Sequence, residues 1–296
     1  MDIPHYVLNF KHLFSQKVID YFVKEYLRGR TPNPCVVCNR IFRFQALLQK
    51  AGELEIDYVA TGHYARIKYD EKRKRYLLLK GKDRNKDQSY FLYGFRQGEL
   101  QRTLLPLGDY LKSQIRQIAG HLGLPVADKA ESQEICFIPD NDYRRFIQER
   151  SELARNPGPF LDREGNVLGQ HQGIAHYTIG QRRGLGLALG YPAYVIDIDP
   201  SRNAVIVGDS SQLKADGLIS IDNNFLPFDE LTGPFLGTVK IRYRAAEVPA
   251  LIKPTADGVR VEFSKPQKAV TPGQAVVFYQ NDLVVGGGTI ERKLLN

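Results

Sequence analysis

Apolar positions in the first 130 residues change period several times. Residues 5–10 (HYVLNF) alternate apolar and polar and predict a short strand. Helical spacing follows: Val18, Phe22 and Tyr26 recur every fourth residue, Ser15 offers an N-cap and Gly29 a stop. Pro32 and Pro34 break the chain before Cys35. A second helix is predicted over 39–51, with Ile41, Phe44, Leu47 and Leu48 on one face and Gly52 ending it. Residues 57–61 (DYVAT) read as a strand leading into Gly62-His63. Strand, helix, helix, strand is an α/β alternation. Residues 66–82 predict a hairpin around the charged turn DEKRKR. A helix over 111–122 would bury Ile115, Ile118 and Leu122 and stop at Gly123.

The texture changes after Cys136. A short helix fits 142–149, and Asn156-Pro157-Gly158-Pro159 breaks the chain. Residues 160–208 are glycine-rich, with AYVIDID and NAVIVG pairing across Pro200-Ser201-Arg202. From 213 onward TVKIRYR, PALIKP, VRVEFS, QAVVFYQ and LVVGGGTI are strand-length segments, and Asn281-Asp282 forms a tight hairpin. That density of strands predicts a small barrel or sandwich. Three units result: 1–137, α/β; 138–212, a small central domain; and 213–296, all-β.

Composition narrows the function classes. Hydrophobic residues at 43% and charged residues at 25% describe a chain able to bury its own core. Three cysteines, an odd number, do not make a secreted disulfide framework. No apolar run of about 18 residues exists, so no membrane partner is expected. The opening MDIPHYVLNF lacks the basic and apolar regions of a signal peptide, which predicts a cytoplasmic protein. Net charge is +8, and residues 1–100 carry all of it, with 19 basic against 11 acidic side chains. Such asymmetry fits a polyanionic partner or simply a basic surface.

Candidate chemistry concentrates in a few motifs. In residues 31–38 (TPNPCVVC) two prolines set a loop and two cysteines stand where a helix begins. The helix dipole, with Arg40 and Arg43, would favour a thiolate there. Cys35-x-x-Cys38 also admits buried cysteines, a redox pair, or a zinc site completed by Cys136. Cys136 alone reads as a core cysteine, but paired with Cys38 it could carry sulfur or cycle through a disulfide. Gly62 at a strand end suits nucleotide approach, and His63 suits a hydrogen bond or acid role. Lys86, Asp87 and Gln88 form a polar loop able to meet phosphate and base edges. In residues 240–244 (KIRYR), a strand would put Lys240, Arg242 and Arg244 on one face as a phosphate strip, or as charge defending an edge. GQRRGLG (180–186) reads as a basic loop.

In order along the chain, TPNPCVVCNR, ATGHYAR, KDQSYFL, SQEICFI, HYTIGQRRGLG, KIRYR and VTPGQAVVFY…GGGTI resemble the tRNA-specific 2-thiouridylases. The resemblance spans the whole chain. It implies a Rossmann-like, PP-loop-type domain of the adenine-nucleotide-hydrolase kind, here incomplete, then a central domain and a C-terminal β-barrel. It implies replacement of the wobble-uridine C2 oxygen of tRNA by sulfur, with ATP and Mg adenylating the base. Cys136 then matches a persulfide carrier loaded by a sulfur-donor protein, and Cys38 the cysteine that attacks that persulfide or closes a Cys38–Cys136 disulfide. Gly62 matches a nucleotide-binding position. Asn33, Pro34 and Cys35 match the loop around the target base. His63, Lys86, Asp87, Gln88, Arg242, Tyr243 and Gln274 match tRNA-contacting positions. Two features depart from the family. Cys35 stands where many members carry Asp, which leaves the general base unassigned. No SGGxDS loop occurs, so the sequence predicts weak ATP binding, a truncated copy and an unpaired sheet edge near Tyr6. A non-catalytic tRNA-binding remnant is the alternative.

Overall fold

The computed structural model describes residues 3–128 and 135–295. Positions 132–134 of the SQEICFI motif lie outside the described residues. The expected opening strand is not one. Residues 3–10 have no regular structure, and Tyr6 and Val7 are 82% and 84% exposed. Alternation alone cannot make a strand without a neighbour to receive its backbone bonds, and no sheet edge forms at Tyr6.

The first helix is continuous through Lys11–Phe14, a π-register turn Ser15–Ile19, and Asp20–Leu27. It begins before Ser15, where Asn9 Oδ1 accepts from the Lys11 amide at 3.0 Å. Gly29 ends it, at φ +70°. The second helix is also longer than its apolar face indicates. It runs through Pro34–Cys38, a π-register stretch Asn39–Ala46, and Leu47–Glu53. Asn33 caps it by accepting from the Val36 amide at 3.3 Å, with Pro34 pre-set in the first turn. Gly52 lies inside the helix rather than after it.

The strand Val59–Ala60 pairs in parallel with Thr103–Leu104. The helix Lys112–His121 fully buries none of its residues: Ile115 is half-buried, Ile118 is 43% exposed and Leu122, just past its end, 61% exposed, so most of the expected inward face lies open. The Tyr143–Gln148 helix forms, capped by Asp142 Oδ1, which accepts from the Arg145 amide at 3.0 Å.

The central sheet orders Val167–His171, Gly158–Leu161, Ala204–Gly208 and Tyr194–Asp199, the last two antiparallel as read from the sequence. The remaining strands close a six-stranded antiparallel barrel. Going round it are Phe235–Lys240, Val248–Thr255, Gly258–Lys268, Lys214–Phe225, Leu283–Leu294 and Ala275–Gln280, which returns to Phe235–Lys240. Closure removes the free edges that a small sheet would expose. Asn281-Asp282 turns between the last two strands. The Ala65–Asp70/Arg75–Lys80 hairpin joins this sheet through Leu79 and Leu283. One expected strand feature fails. Lys240 ends its strand, and Ile241–Arg244 turn away, with the Ala245 amide bonded to Arg242 O at 3.1 Å. Val239 already faces Val248, so 240–247 must reverse the chain, and the three-cation face does not exist.

Two shared cores fix the units against one another. Phe44, Leu48, Tyr90 and Phe95 of the first unit pack with Ala275, Val277, Tyr279 and Val284 of the barrel. Phe22 and Tyr26 pack with Ile138, Phe146, Ile147 and Ala175. Phe22 is fully buried and meets Phe137 edge-on at 5.4 Å and Phe146 at 6.2 Å. Phe22→Ala is expected to cost about 3–5 kcal/mol, read as a fall in the urea midpoint by circular dichroism; a loss under about 1 kcal/mol would contradict this packing.

Candidate active site

The cysteine helix starts where the barrel holds it. The Thr31 amide donates to Pro272 O at 2.9 Å, and Gln274 Nε2 donates to Thr31 O at 3.0 Å and Pro32 O at 3.1 Å. Gly273, at φ +90°, lies so close that a Cβ there would sit 2.9 Å from Thr31 O. Arg30 adds ion pairs to Glu25 at 2.8 Å and to Glu291 of the barrel at 2.7 Å. Gln274 thus grips the loop that carries Asn33, Pro34 and Cys35.

Helix geometry then presents Cys35 and Cys38, three residues apart, on one face. Both line a cleft of about 990 Å³ that Cys136 lines as well. Cys136 is exposed, not a core residue. It sits in a turn closed by the Ile138 amide on Ile135 O at 2.9 Å, with buried Ile138 and the aromatic cluster around Phe137 anchoring it from behind. All three cysteines are free thiols. Among the described residues no group of three or more His, Cys, Asp or Glu could hold a metal.

The expected thiolate bias is opposed by the cleft, although Cys35 is solvent-exposed and Cys38 half-buried. Crowding by the cleft wall, then Cys136 and Cys38, push the Cys35 thiol up to about 11, against the pull of Arg43. Burial also raises Cys38, although Arg43 opposes it by charge and by a hydrogen bond. Cys38 is the fifth residue of its helix, past the free amides of the first turn. Arg40 faces elsewhere, packed so near Gly94 that a Cβ there would sit 3.3 Å from the Arg40 Cδ.

Arg43 also meets His63, with Nη1 3.3 Å from Nε2. A guanidinium only donates, so Nε2 accepts, the proton is on Nδ1, and Nδ1–H donates to Thr61 Oγ1 at 2.8 Å. Burial first and the Arg43 charge second hold the imidazole down at about 4. His63 is therefore neutral at pH 7 and has no proton to give as a general acid.

The other sequence-derived residues divide into two sets. Pro34, Cys35, Cys38, Gly62, His63, Lys86, Asp87, Gln88, Cys136 and Tyr243 line the one cleft. Asn33, Arg242 and Gln274 do not. Asn33 caps the helix, and Arg242 Nη2 donates to Lys268 O at 2.9 Å and Ala269 O at 2.8 Å. Asp87 is buried: its carboxylate accepts from the Gly81 and Ser89 amides and the Ser89 hydroxyl. Gln88 Oε1 accepts from the Tyr64 amide at 3.0 Å. Tyr243 stacks beside Phe91 at 4.4 Å under the Lys240 ammonium. Arg84, Lys112, Lys240 and Arg244 add positive charge to the lining. Arg43 was legible as a charge but not as a site residue, because an α-helical step of five residues points it about 140° away from Cys38.

Gly62 follows the parallel strand pair, as a nucleotide site in an open sheet requires. Three of the surrounding amides are already engaged. Thr61 N donates to Leu104 O, Tyr64 N to Gln88 Oε1 and Ala65 N to His63 O. Those three amides are unavailable to an ATP phosphate; the Gly62 and His63 amides are not among them.

A neutral buried histidine makes stability pH-dependent. The His63 value in the unfolded chain is about 6.5 and its folded value lies lower. Its contribution is full above that unfolded value and fades as pH falls, by about 2 kcal/mol at pH 5. His171 and His176, lowered mainly by burial, act in the same direction. Urea midpoints from pH 7.5 to 5 should fall less steeply in His63→Gln than in the parent; equal slopes would contradict a neutral His63.

Comparison with known proteins places this cleft in context. Residues 1–140 match the tRNA methyl transferase HUP domain family, 144–209 the tRNA methyl transferase PRC-barrel domain family, and 215–290 the aminomethyltransferase beta-barrel domain family. The chain is 60% identical to the tRNA-specific 2-thiouridylase MnmA of Moorella thermoacetica over 98% of its own length and 82% of that protein's. It is 56% identical to the MnmA proteins of Desulforamulus reducens and Carboxydothermus hydrogenoformans, over 99% of its length and 80% and 81% of theirs. With three thiols in one cleft, a basic lining and these relatives, the chain belongs to the MnmA family of tRNA-specific 2-thiouridylases.

Proposed function

We propose that this chain performs the sulfur-transfer chemistry of tRNA 2-thiolation in the cleft lined by Cys38 and Cys136. The observation that carries the reading is the placement of both thiols in one cleft whose lining is rich in cations. A partner protein that bears a persulfide loads Cys136 with a terminal sulfur. The Cys38 thiolate attacks the Cys136 sulfur, and the bond to the terminal sulfur breaks. That sulfur leaves with the electron pair and bonds to C2 of the adenylated wobble uridine, and the C2–O bond breaks as the oxygen departs with AMP. Cys38 and Cys136 are left as a disulfide, which a thiol reductant reopens for the next cycle.

The anionic tRNA is held by Lys86, Gln88, Tyr243 and neutral His63 at the cleft, with Pro34 and Cys35 beside the base. Asn33, Asp87, Arg242 and Gln274 act from behind, since their side chains hold backbone groups of the segments that meet tRNA. ATP activation, with Mg²⁺, is the family's way to make C2 electrophilic. Gly62 is the residue assigned to meet that nucleotide, three amides beside it are already engaged, and weak ATP binding is part of the proposal. We divide the protein at 137/138 and 212/213 and place its work in the cytoplasm, where tRNA is modified. Among the described residues no helix is long and apolar enough to cross a membrane.

The test is 2-thiouridine formation on tRNA transcripts with ATP and a persulfide donor, run alongside gel-shift affinity. Cys38→Ser and Cys136→Ser should each lower 2-thiouridine at least 100-fold and change tRNA affinity less than twofold. Thiolation that survives Cys136→Ser would refute the sulfur route.

A further inference from the structure

The π-register stretch Asn39–Ala46 begins directly after Cys38. In an α-helix, residues five apart diverge by about 140°. The i→i+5 bonding of a π segment brings them back toward one face, a distortion frequent at functional sites. Arg43, five residues after Cys38, lines the same cleft as the thiol, and its charge and hydrogen-bonding capacity oppose the upward push on Cys38. The same guanidinium meets His63 Nε2 at 3.3 Å, and His63 is held from its other side by Thr61 Oγ1 at 2.8 Å. His63 is buried and neutral, so it anchors the cation without cancelling its charge.

We propose that Arg43 is a catalytic residue that stabilises the Cys38 thiolate during attack on the persulfide, and that His63 and Thr61 are positioning residues that aim it. This rests on the reading of Cys38 as the attacking thiol. The thiol proton leaves to solvent in the open cleft, and the negative charge that remains on sulfur is met by the Arg43 fork. Charge-assisted bonds of this kind are roughly twice as strong as neutral ones. The other groups beside the thiol are Cys35 on its own helix and Cys136 in the same cleft. More distant on the cleft walls are Arg84, Lys86, Lys112, Lys240, Arg244 and the buried carboxylate of Asp87. Arg43 differs from those cations in standing on the π-register stretch that follows Cys38, held by His63, and in being the cation whose charge acts on that thiol.

The test is iodoacetamide labelling of the full chain, without tRNA, from pH 6.5 to 9.5, with Cys38 and Cys136 followed separately by peptide mass spectrometry. In Arg43→Met the Cys38 rate at pH 7.5 should fall about tenfold and its pH midpoint rise by about one unit, a tenfold change in thiolate fraction. Cys136 should label within twofold of the parent. Arg43→Lys, which keeps the charge and loses the fork, should fall between the two. Should Arg43→Met lose its far-UV circular dichroism, Arg43→Gln carries the same expectation. A Cys38 rate and midpoint unchanged in the folded variant would overturn the proposal. Failure of the sulfur route itself would appear separately, as 2-thiouridine formation that survives Cys38→Ser, and would leave the labelling result intact.

Discussion

The site depends on the grip of one barrel turn on two residues of another unit. Thr31 and Pro32 are extended between helices and have no ladder of their own. Their polar groups are met by Pro272 O and by the Gln274 side chain. Each such bond contributes only about 1 kcal/mol, but together they fix where the cysteine helix begins. Asn33 and Pro34 set its first turn, and Cys35 and Cys38 follow by helical geometry. Gly273 allows the close approach, since a side chain there would collide with the Thr31 backbone. Tyr90 adds a second tie from the same region: its hydroxyl donates to Ala275 O at 2.9 Å in the shared core.

The chemistry of the cleft follows from burial working against one cation. Crowding by the protein raises Cys35 and Cys38, so neither thiol ionises freely in the resting protein. A resting pair of neutral thiols resists idle oxidation, because exchange proceeds through the thiolate. Arg43 opposes that trend at Cys38. Its partner His63 remains neutral because both burial and that same charge penalise protonation. The helix with the cysteines, the loop with Cys136 and the basic lining come from distant parts of the chain, so the folded cores set their alignment.

Much of this was legible in the sequence. Periodicity located the first two helices, the 66–82 hairpin and the barrel strands, and the Cys, His and Lys-Asp-Gln motifs proved to share one cleft. Its failures have local causes. The 5–10 alternation had no neighbouring strand, and most of the 111–122 face lies open. The 240–244 cations fell in a reversal forced by the pairing of Val239 with Val248. Residues 39–51 hid a π register that no apolar spacing reveals, and with it the turn of Arg43 toward Cys38. Burial, invisible in the chain, opposed the expected thiolate bias and removed the acid role of His63.

The central claim is that Cys38 and Cys136 act as a pair within the cleft. Mild oxidation of the full chain with tRNA present, followed by non-reducing digestion and mass spectrometry, tests it most directly. The account predicts a Cys38–Cys136 linkage as the main product, lost in Cys136→Ser and restored to free thiols by dithiothreitol. Exclusive formation of a Cys35–Cys38 linkage, or no linkage at all, would contradict it.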